Sequence, residues 1–201
     1  HDPYSSSKGC SELVTAAYRA SFPGKGGALI ASGRAGNVIG GGDWALDRLV
    51  PDAFRALDKG ETMIVRSPRA IRPWQHALEP LSGYILLAEK LVREGKGFAR
   101  AWNFGPDEQS ARSVGWILDH IQRCDKGLSW TVEDSPSLHE ASFLKLDSSM
   151  ARAELGWRPR WSLEHALDKS IEWHLAWRAG ADVQATCLAQ IAEYEATTHD
   201  V

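Results

Sequence analysis

His1-Asp2-Pro3-Tyr4-Ser5-Ser6-Ser7-Lys8 opens the chain, and the reading of the fold starts from it. Residues four apart share one face of a helix, so this run stacks a phenol and an ammonium one above the other. A phenol is a poor base at neutral pH, and a fixed cation nearby favours its ionised form. A Tyr-x-x-x-Lys pair can therefore move a hydroxyl proton while hydride leaves the same carbon. Four residues alone are a weakly specific signal, so the surrounding order matters. Residues 9–22 continue the helix, with Leu13, Ala17 and Tyr18 on an apolar stripe. A Gly24-Lys25-Gly26-Gly27 turn leads into Ala28-Leu29-Ile30-Ala31-Ser32, which reads as a short buried strand extending to about residue 34. Arg34-Ala35-Gly36-Asn37-Val38-Ile39-Gly40 follows.

Beyond this start the pattern alternates. Residues 46–58 are helical by the recurrence of Leu46, Leu49, Val50, Ala53 and Leu57, and Met63 to Arg66 is a short strand. Residues 77–94 form the clearest helix, with Leu78, Leu81, Tyr84, Ile85, Ala88 and Leu91 on one face and Gly95 ending it. Ala101 to Phe104 is a strand, 113–124 a helix, and 128–132 and 143–146 are strands. Helices follow at 148–155, closed by Gly156, at 162–178, started by Ser162, and at 181–197. Such alternation predicts an α/β fold.

Composition sets bounds. With 201 residues, 43% of them hydrophobic, the chain can bury one core or a domain and a half. A net charge of −3 gives no reason to expect nucleic acid or an anionic membrane as partner. No stretch approaches the roughly 20 apolar residues of a membrane span, and residues 1–20 do not read as a signal peptide. Cys10, Cys124 and Cys187 are odd in number and lack a metal-like spacing, which predicts buried, reduced thiols in a cytoplasmic protein. His1, His120, His165, His174 and His199 lack ligand spacing as well, so no metal is expected. Most of the nine tryptophans should be packing or interface residues.

The Tyr-x-x-x-Lys helix, the turn, the strand and the run Arg34 to Gly40 together resemble the extended short-chain dehydrogenase/reductase family. Within it they are closest to the nucleotide-sugar 4,6-dehydratases. Longer runs carry that likeness: Asn37-Val38-Ile39-Gly40-Gly41-Gly42-Asp43-Trp44, Ala70-Ile71-Arg72-Pro73-Trp74-Gln75-His76, and His139-Glu140-Ala141 leading to Leu144-Lys145-Leu146-Asp147. The resemblance extends from residue 1 to about 178. It implies the carboxy-terminal part of a Rossmann-type doubly wound domain plus a smaller α/β substrate-binding domain. Residues 1–40 and 74–104 would supply the former, 41–73 and 105–178 the latter, and 179–201 a carboxy-terminal helix. The five glycines from Gly33 to Gly42 are not spaced as a Gly-x-Gly-x-x-Gly phosphate turn, so the cofactor half is expected only in part.

The resemblance also implies roles. NAD is the cofactor and a nucleotide sugar, CDP-glucose, the substrate. Tyr4 takes the sugar 4-hydroxyl proton, and Lys8 holds the nicotinamide ribose and favours the phenolate. Ala35 and Gly36 lie near the nicotinamide, or are small because a tight turn wants them so. Asn37 bonds the substrate, or caps its own turn; Leu49 faces the nucleotide, or is core. Arg72 and Arg66, in a proline-containing loop, meet the diphosphate, for which guanidinium is the natural two-pronged partner, or belong to a solvated surface. His139 and Glu140 approach the nucleotide, or lie on a surface turn, and His76 is a structural histidine. In the family, the elimination acid and base and the Ser or Thr that bonds the tyrosine stand upstream of the motif, so none is assigned here. The helix of Tyr4 would form a homodimer interface through Cys10, Val14, Ala17 and Tyr18. An epimerase or reductase of another nucleotide sugar, or a non-catalytic nucleotide-binding chain, shares these features.

Overall fold

Asp2 accepts hydrogen bonds from the Ser5 backbone N–H and hydroxyl (2.8 and 2.7 Å), and Pro3 sits in the first turn, where its missing N–H costs nothing. The computed structural model describes residues 2–22, 28–133 and 143–197, and this start gives it a helix α1 over Pro3–Ser21. The chain forms two units, each with its own core.

Unit one comprises 1–35, 80–104 and 147–158. Strand β1 (Ser32–Ala35) pairs in parallel with β5 (Ala101–Phe104), and helix α3 (Leu78–Glu94) supplies the covering layer. Residues 28–31 are not strand, against the expectation. The β1–β5 ladder begins at Ser32, because β5 is preceded by a tight turn at Gly95–Phe98 and presents no earlier strand to pair with. The core is Leu87, Trp102, Phe104, Ala151, Leu155 and Trp157. Gly33 and Gly83 let the layers close: a Cβ on Gly33 would stand 2.6 Å from the Tyr84 ring, and one on Gly83 2.2 Å from the Phe104 ring. The inward face of α3 is therefore Gly83, Tyr84, Leu87 and Leu91. Leu81 and Ile85, expected on the same face, point to solvent together with Val92. A single π turn over Ala151–Leu155 ends at Gly156 in the left-handed region (φ 71°).

Unit two comprises 36–79, 105–146 and 159–201. A three-stranded sheet runs β2 (Asn37–Ile39), β4 (Ile71–His76), β6 (Ala111–Ser113), parallel on one side and antiparallel on the other. Residues 71–76 form this central strand rather than the loop expected from Pro73. The registers explain the proline. β6 pairs with Ile71 to Pro73 and β2 with Trp74 to His76, so the ladder changes sides at Pro73. A second pair joins β3 (Thr62–Val65) to β7 (Ser129–Val132). Phe143 makes one bridge to Ile71, and 143–146 is otherwise not a strand, contrary to expectation.

Four helices surround these sheets. Helix α2 (Leu49–Lys59) is ended by Gly60 at φ 66°, and α4 (Val114–Cys124) is capped by Ser113. Helix α5 (Leu163–Arg178) is capped by Ser162 and α6 (Val183–Ala196) by Asp182. Ala53, Phe54, Leu57, Ile117, Leu118, Ile121, Leu163 and Leu167 converge in the core, each large aliphatic contributing roughly 1.5–3 kcal/mol on leaving water. No described helix is long and apolar enough to cross a membrane. All three cysteines are exposed, correcting the expectation of buried thiols: each lies on the outer part of a helix.

Candidate functional site

The chemistry-bearing pair lies in the first two turns of α1. Tyr4 is 72% exposed, and the Lys8 ammonium lies 5.4 Å from the centre of its ring. The helical spacing thus puts both groups on one open face, with the cation over the ring. What holds α1 to its unit is polar. The half-buried positions are Glu12, Thr15 and Arg19, and Glu12 accepts from the Ser32 hydroxyl (3.0 Å) and faces the Arg34 guanidinium (3.5 Å). The apolar stripe Leu13, Ala17 and Tyr18 is exposed, as are Cys10 and Val14. Ala35 ends β1 opposite Phe104.

The remaining predicted site residues belong to unit two. Gly36 is small for a specific reason: a Cβ there would stand 2.4 Å from the Pro73 carbonyl oxygen. Asn37 is the first residue of β2, paired with Trp74, and its side chain caps no turn among the described residues. Leu49 is half-buried and packs on the unit's core, which favours the packing reading. Arg66 is exposed just after β3. His139 and Glu140, like the turn Gly24 to Gly27, lie outside the described residues.

Arg72 is 9% exposed on β4 and donates to the Ile71 carbonyl at 2.9 Å. Directly opposite it in the antiparallel register stands Arg112 of β6, whose guanidinium also lies 5.3 Å from the Trp116 ring centre. Like charges directly opposed on neighbouring strands repel, and an anion held between them removes the penalty. Sequence reasoning missed Arg112, because only the register brings it to Arg72. His76 accepts from the Leu78 N–H through Nδ1 (3.3 Å) and packs 4.9 Å from the Trp161 ring. Burial, with His165 nearby, pushes its pKa down to about 4, so it stays neutral, as a structural histidine would.

Two further histidines sit in polar pairs. His174 Nε2 lies 2.9 Å from an Asp58 carboxylate oxygen, its ring stacked on Phe54 at 4.2 Å. His120 and Cys124, dismissed on spacing, prove to be one helical turn apart on α4, with Asp168 of α5 beside both.

No protein-family model matches the chain. It is 47% identical to CDP-glucose 4,6-dehydratase of Salmonella typhimurium, in an alignment that covers 98% of this chain and 57% of that protein. The chain thus spans little more than half the length of that relative. Among solved structures, the fold is similar to UDP-glucose 4-epimerase from Stenotrophomonas maltophila with bound NAD (TM-score 0.73, 18% identity, 90% of this chain and 57% of that one). It is also similar to an NAD-dependent NDP-hexosamine 5,6-dehydratase of tunicamycin biosynthesis (TM-score 0.70, 19% identity, 92% and 56%). A third neighbour is dTDP-glucose 4,6-dehydratase from Bacillus anthracis in complex with NAD (TM-score 0.66, 16% identity, 87% and 52%). By sequence the chain is similar to CDP-glucose 4,6-dehydratase over little more than half of that protein's length, and its fold is similar to the corresponding half of these epimerase and dehydratase structures.

Proposed function

We propose that the protein to which this sequence belongs is an NAD-dependent lyase that converts CDP-glucose to CDP-4-dehydro-6-deoxy-glucose. The observation that carries this reading is the 47% identity to a CDP-glucose 4,6-dehydratase over 98% of the chain. In this reading unit one is the remaining part of the NAD-binding domain and unit two binds the nucleotide sugar. The exposed phenol of Tyr4, with the Lys8 ammonium on the same face, fits the nicotinamide-ribose end of the cofactor. Tyr4 and Lys8 would meet the nicotinamide end of NAD, which would supply reversible hydride transfer for oxidation at C4 and reduction at C6, on either side of the loss of water across C5 and C6.

The chain's own residues do the rest. Tyr4 Oη takes the 4-hydroxyl proton, and Lys8 orients the ribose and favours the phenolate while that proton moves. Ala35 and Gly36 leave room for the flat nicotinamide. In unit two, Arg72 with Arg112 opposite holds the diphosphate, whose two negative charges offset their repulsion. Asn37, Arg66 and His139 complete the substrate-binding set, with Leu49 supporting it from the edge of the core. The elimination acid and base are assigned to no residue of this sequence.

The exposed face of Cys10, Val14, Ala17 and Tyr18 supports a homodimer through α1, and three thiols without a disulfide-like spacing support a cytoplasmic setting.

The test is ligand-observed NMR of the chain with CDP-glucose, UDP-glucose and dTDP-glucose. CDP-glucose should bind best, and Arg72→Ala should weaken it roughly thirtyfold or more, about 2 kcal/mol. Equal binding of all three, or an Arg72→Ala chain that binds unchanged, would refute the assignment.

A further inference from the structure

His120 and Cys124 occupy one face of the last turns of α4, and Asp168 rises from α5 to meet them. His120 Nε2 is 2.7 Å from Asp168 Oδ1, and Cys124 Sγ is 3.8 Å from the same oxygen. One donor atom from each of the three lies within 4.8 Å of the other two. His120 is 9% exposed and its ring lies against Trp116 (5.5 Å between centres), so it is a fixed point. Cys124 and Asp168 are open to solvent.

We propose that His120, Cys124 and Asp168 form a binding site for a divalent transition-metal ion of the zinc class, fastening α4 to α5. An imidazole nitrogen, a thiolate sulfur and a carboxylate oxygen are donors that zinc takes, and calcium or magnesium would not choose the first two. In a tetrahedral site with bonds of about 2.0–2.3 Å, neighbouring donors stand about 3.3–3.8 Å apart. The sulfur–oxygen distance already meets this. The nitrogen–oxygen contact is a hydrogen bond that opens by less than about 1 Å when an ion replaces the shared proton. Asp168 can make that movement, being exposed, and a water can fill the fourth position from the solvent side.

Proton balance is simple. On binding, Cys124 releases its thiol proton to solvent, and the proton that His120 shares with Asp168 through Nε2 passes to Nδ1, so that Nε2 and the carboxylate offer their lone pairs to the ion. Two features oppose binding and shape the test. Burial and the Asp168 carboxylate push the Cys124 thiol up, a shift that a dication at the same point reverses. The Arg123 guanidinium lies 3.4 Å from His120 Nδ1, where it competes with the tautomer that ligation needs. Arg123 is exposed and can swing away.

The experiment titrates the whole chain with Co2+ as an optical probe and Zn2+ as competitor. One cobalt per chain should bind with a thiolate-to-cobalt charge-transfer band that zinc abolishes. Cys124→Ser should lose the band while keeping its circular dichroism, and Zn2+ should raise the unfolding temperature of the unsubstituted chain but not that of Cys124→Ser. Arg123→Ala should bind cobalt more tightly, a gain that damage to the fold does not produce. A band missing from the unsubstituted chain, a band that survives Cys124→Ser, or weaker binding by Arg123→Ala would overturn the proposal. None of these readouts involves NAD or a nucleotide sugar, so the outcome stands apart from the function proposed above.

Discussion

Replacing Glu79 should separate a lost charge from a lost acceptor. Its carboxylate, 1% exposed in the first turn of α3, accepts from the Arg160 N–H (3.1 and 3.0 Å to its two oxygens), the Trp161 N–H (2.8 Å) and the Tyr194 hydroxyl (2.7 Å). Glu79→Ala strands two backbone donors and a phenol. At about 1–3 kcal/mol for each buried unsatisfied group, with the cavity admitting some water, the cost is about 3–5 kcal/mol. Glu79→Gln keeps one oxygen for the two N–H groups, and the Tyr194 hydroxyl can turn to accept from the new amide, so its cost is about 1 kcal/mol. Burial, partly offset by these donors, pushes the Glu79 carboxyl above its ordinary value of 4.5. A raised folded-state pKa stabilises fully below the unfolded value and loses its contribution as pH rises through the folded one. The stability of the unsubstituted chain relative to Glu79→Gln should therefore fall as pH climbs from about 4.5. Urea unfolding followed by tryptophan fluorescence measures both quantities. Equal costs for the two variants, or a relative stability that rises over that pH range, would refute the reasoning.

The other expectations are briefer. A Cβ at Gly41 would stand 2.0 Å from Trp173 Cγ, so Gly41→Ala should cost about 1–3 kcal/mol in thermal unfolding, whereas Gly9→Ala, in open space within α1, should add about 0.5–1 kcal/mol. His76, its pKa lowered from 6.5 to about 4, stabilises fully above pH 6.5, and up to about 3 kcal/mol should drain away as the pH falls toward 4; His76→Phe should flatten that slope in acid titrations of unfolding. Sedimentation should show a dimer that Val14→Glu splits while the unit-two helices keep their dichroism; a monomer at high concentration would count against the α1 interface. With no glycine-rich phosphate turn in the sequence, calorimetry should find NAD binding no tighter than about millimolar, and micromolar binding would contradict the reading.

Most helices were legible because their ends are written locally. Asp2-Pro3, Ser113 and Ser162 start them, Gly60 and Gly156 stop them, and the apolar period fills the span. What was not legible depends on partners distant in sequence. Pro73 argued for a loop, and only the change of pairing side at that residue admits it to a strand. Periodicity gave α3 an apolar face but could not choose between two, since Leu81, Ile85 and Val92 form a stripe as regular as the buried one. In α1 the apolar stripe was legible, and the structure leaves it exposed. Tyr4 and Lys8 announce themselves by spacing, and Arg72 by charge. Arg112 and Asp168 become visible only once a register and a helix pair place them.

Helix α1, which carries Tyr4 and Lys8, is weakly secured within unit one. It buries no residue, and Glu12 ties it through side chains to Ser32 and Arg34. A 19-residue helix with Gly9 in its middle and serines throughout its first half draws little from intrinsic propensity. Exposed charge pairs such as Glu12 with Arg34 add at most about 1 kcal/mol. Unit two shows the opposite arrangement, with Arg72 set in a central strand above a large aliphatic core. The hydrogen-bonded register holds the backbones of Arg72 and Arg112 directly opposite one another. Local stability is lowest where few apolar contacts resist opening, so the amides of α1 should exchange with solvent well before those of β4, and equal protection of the two would contradict this reading.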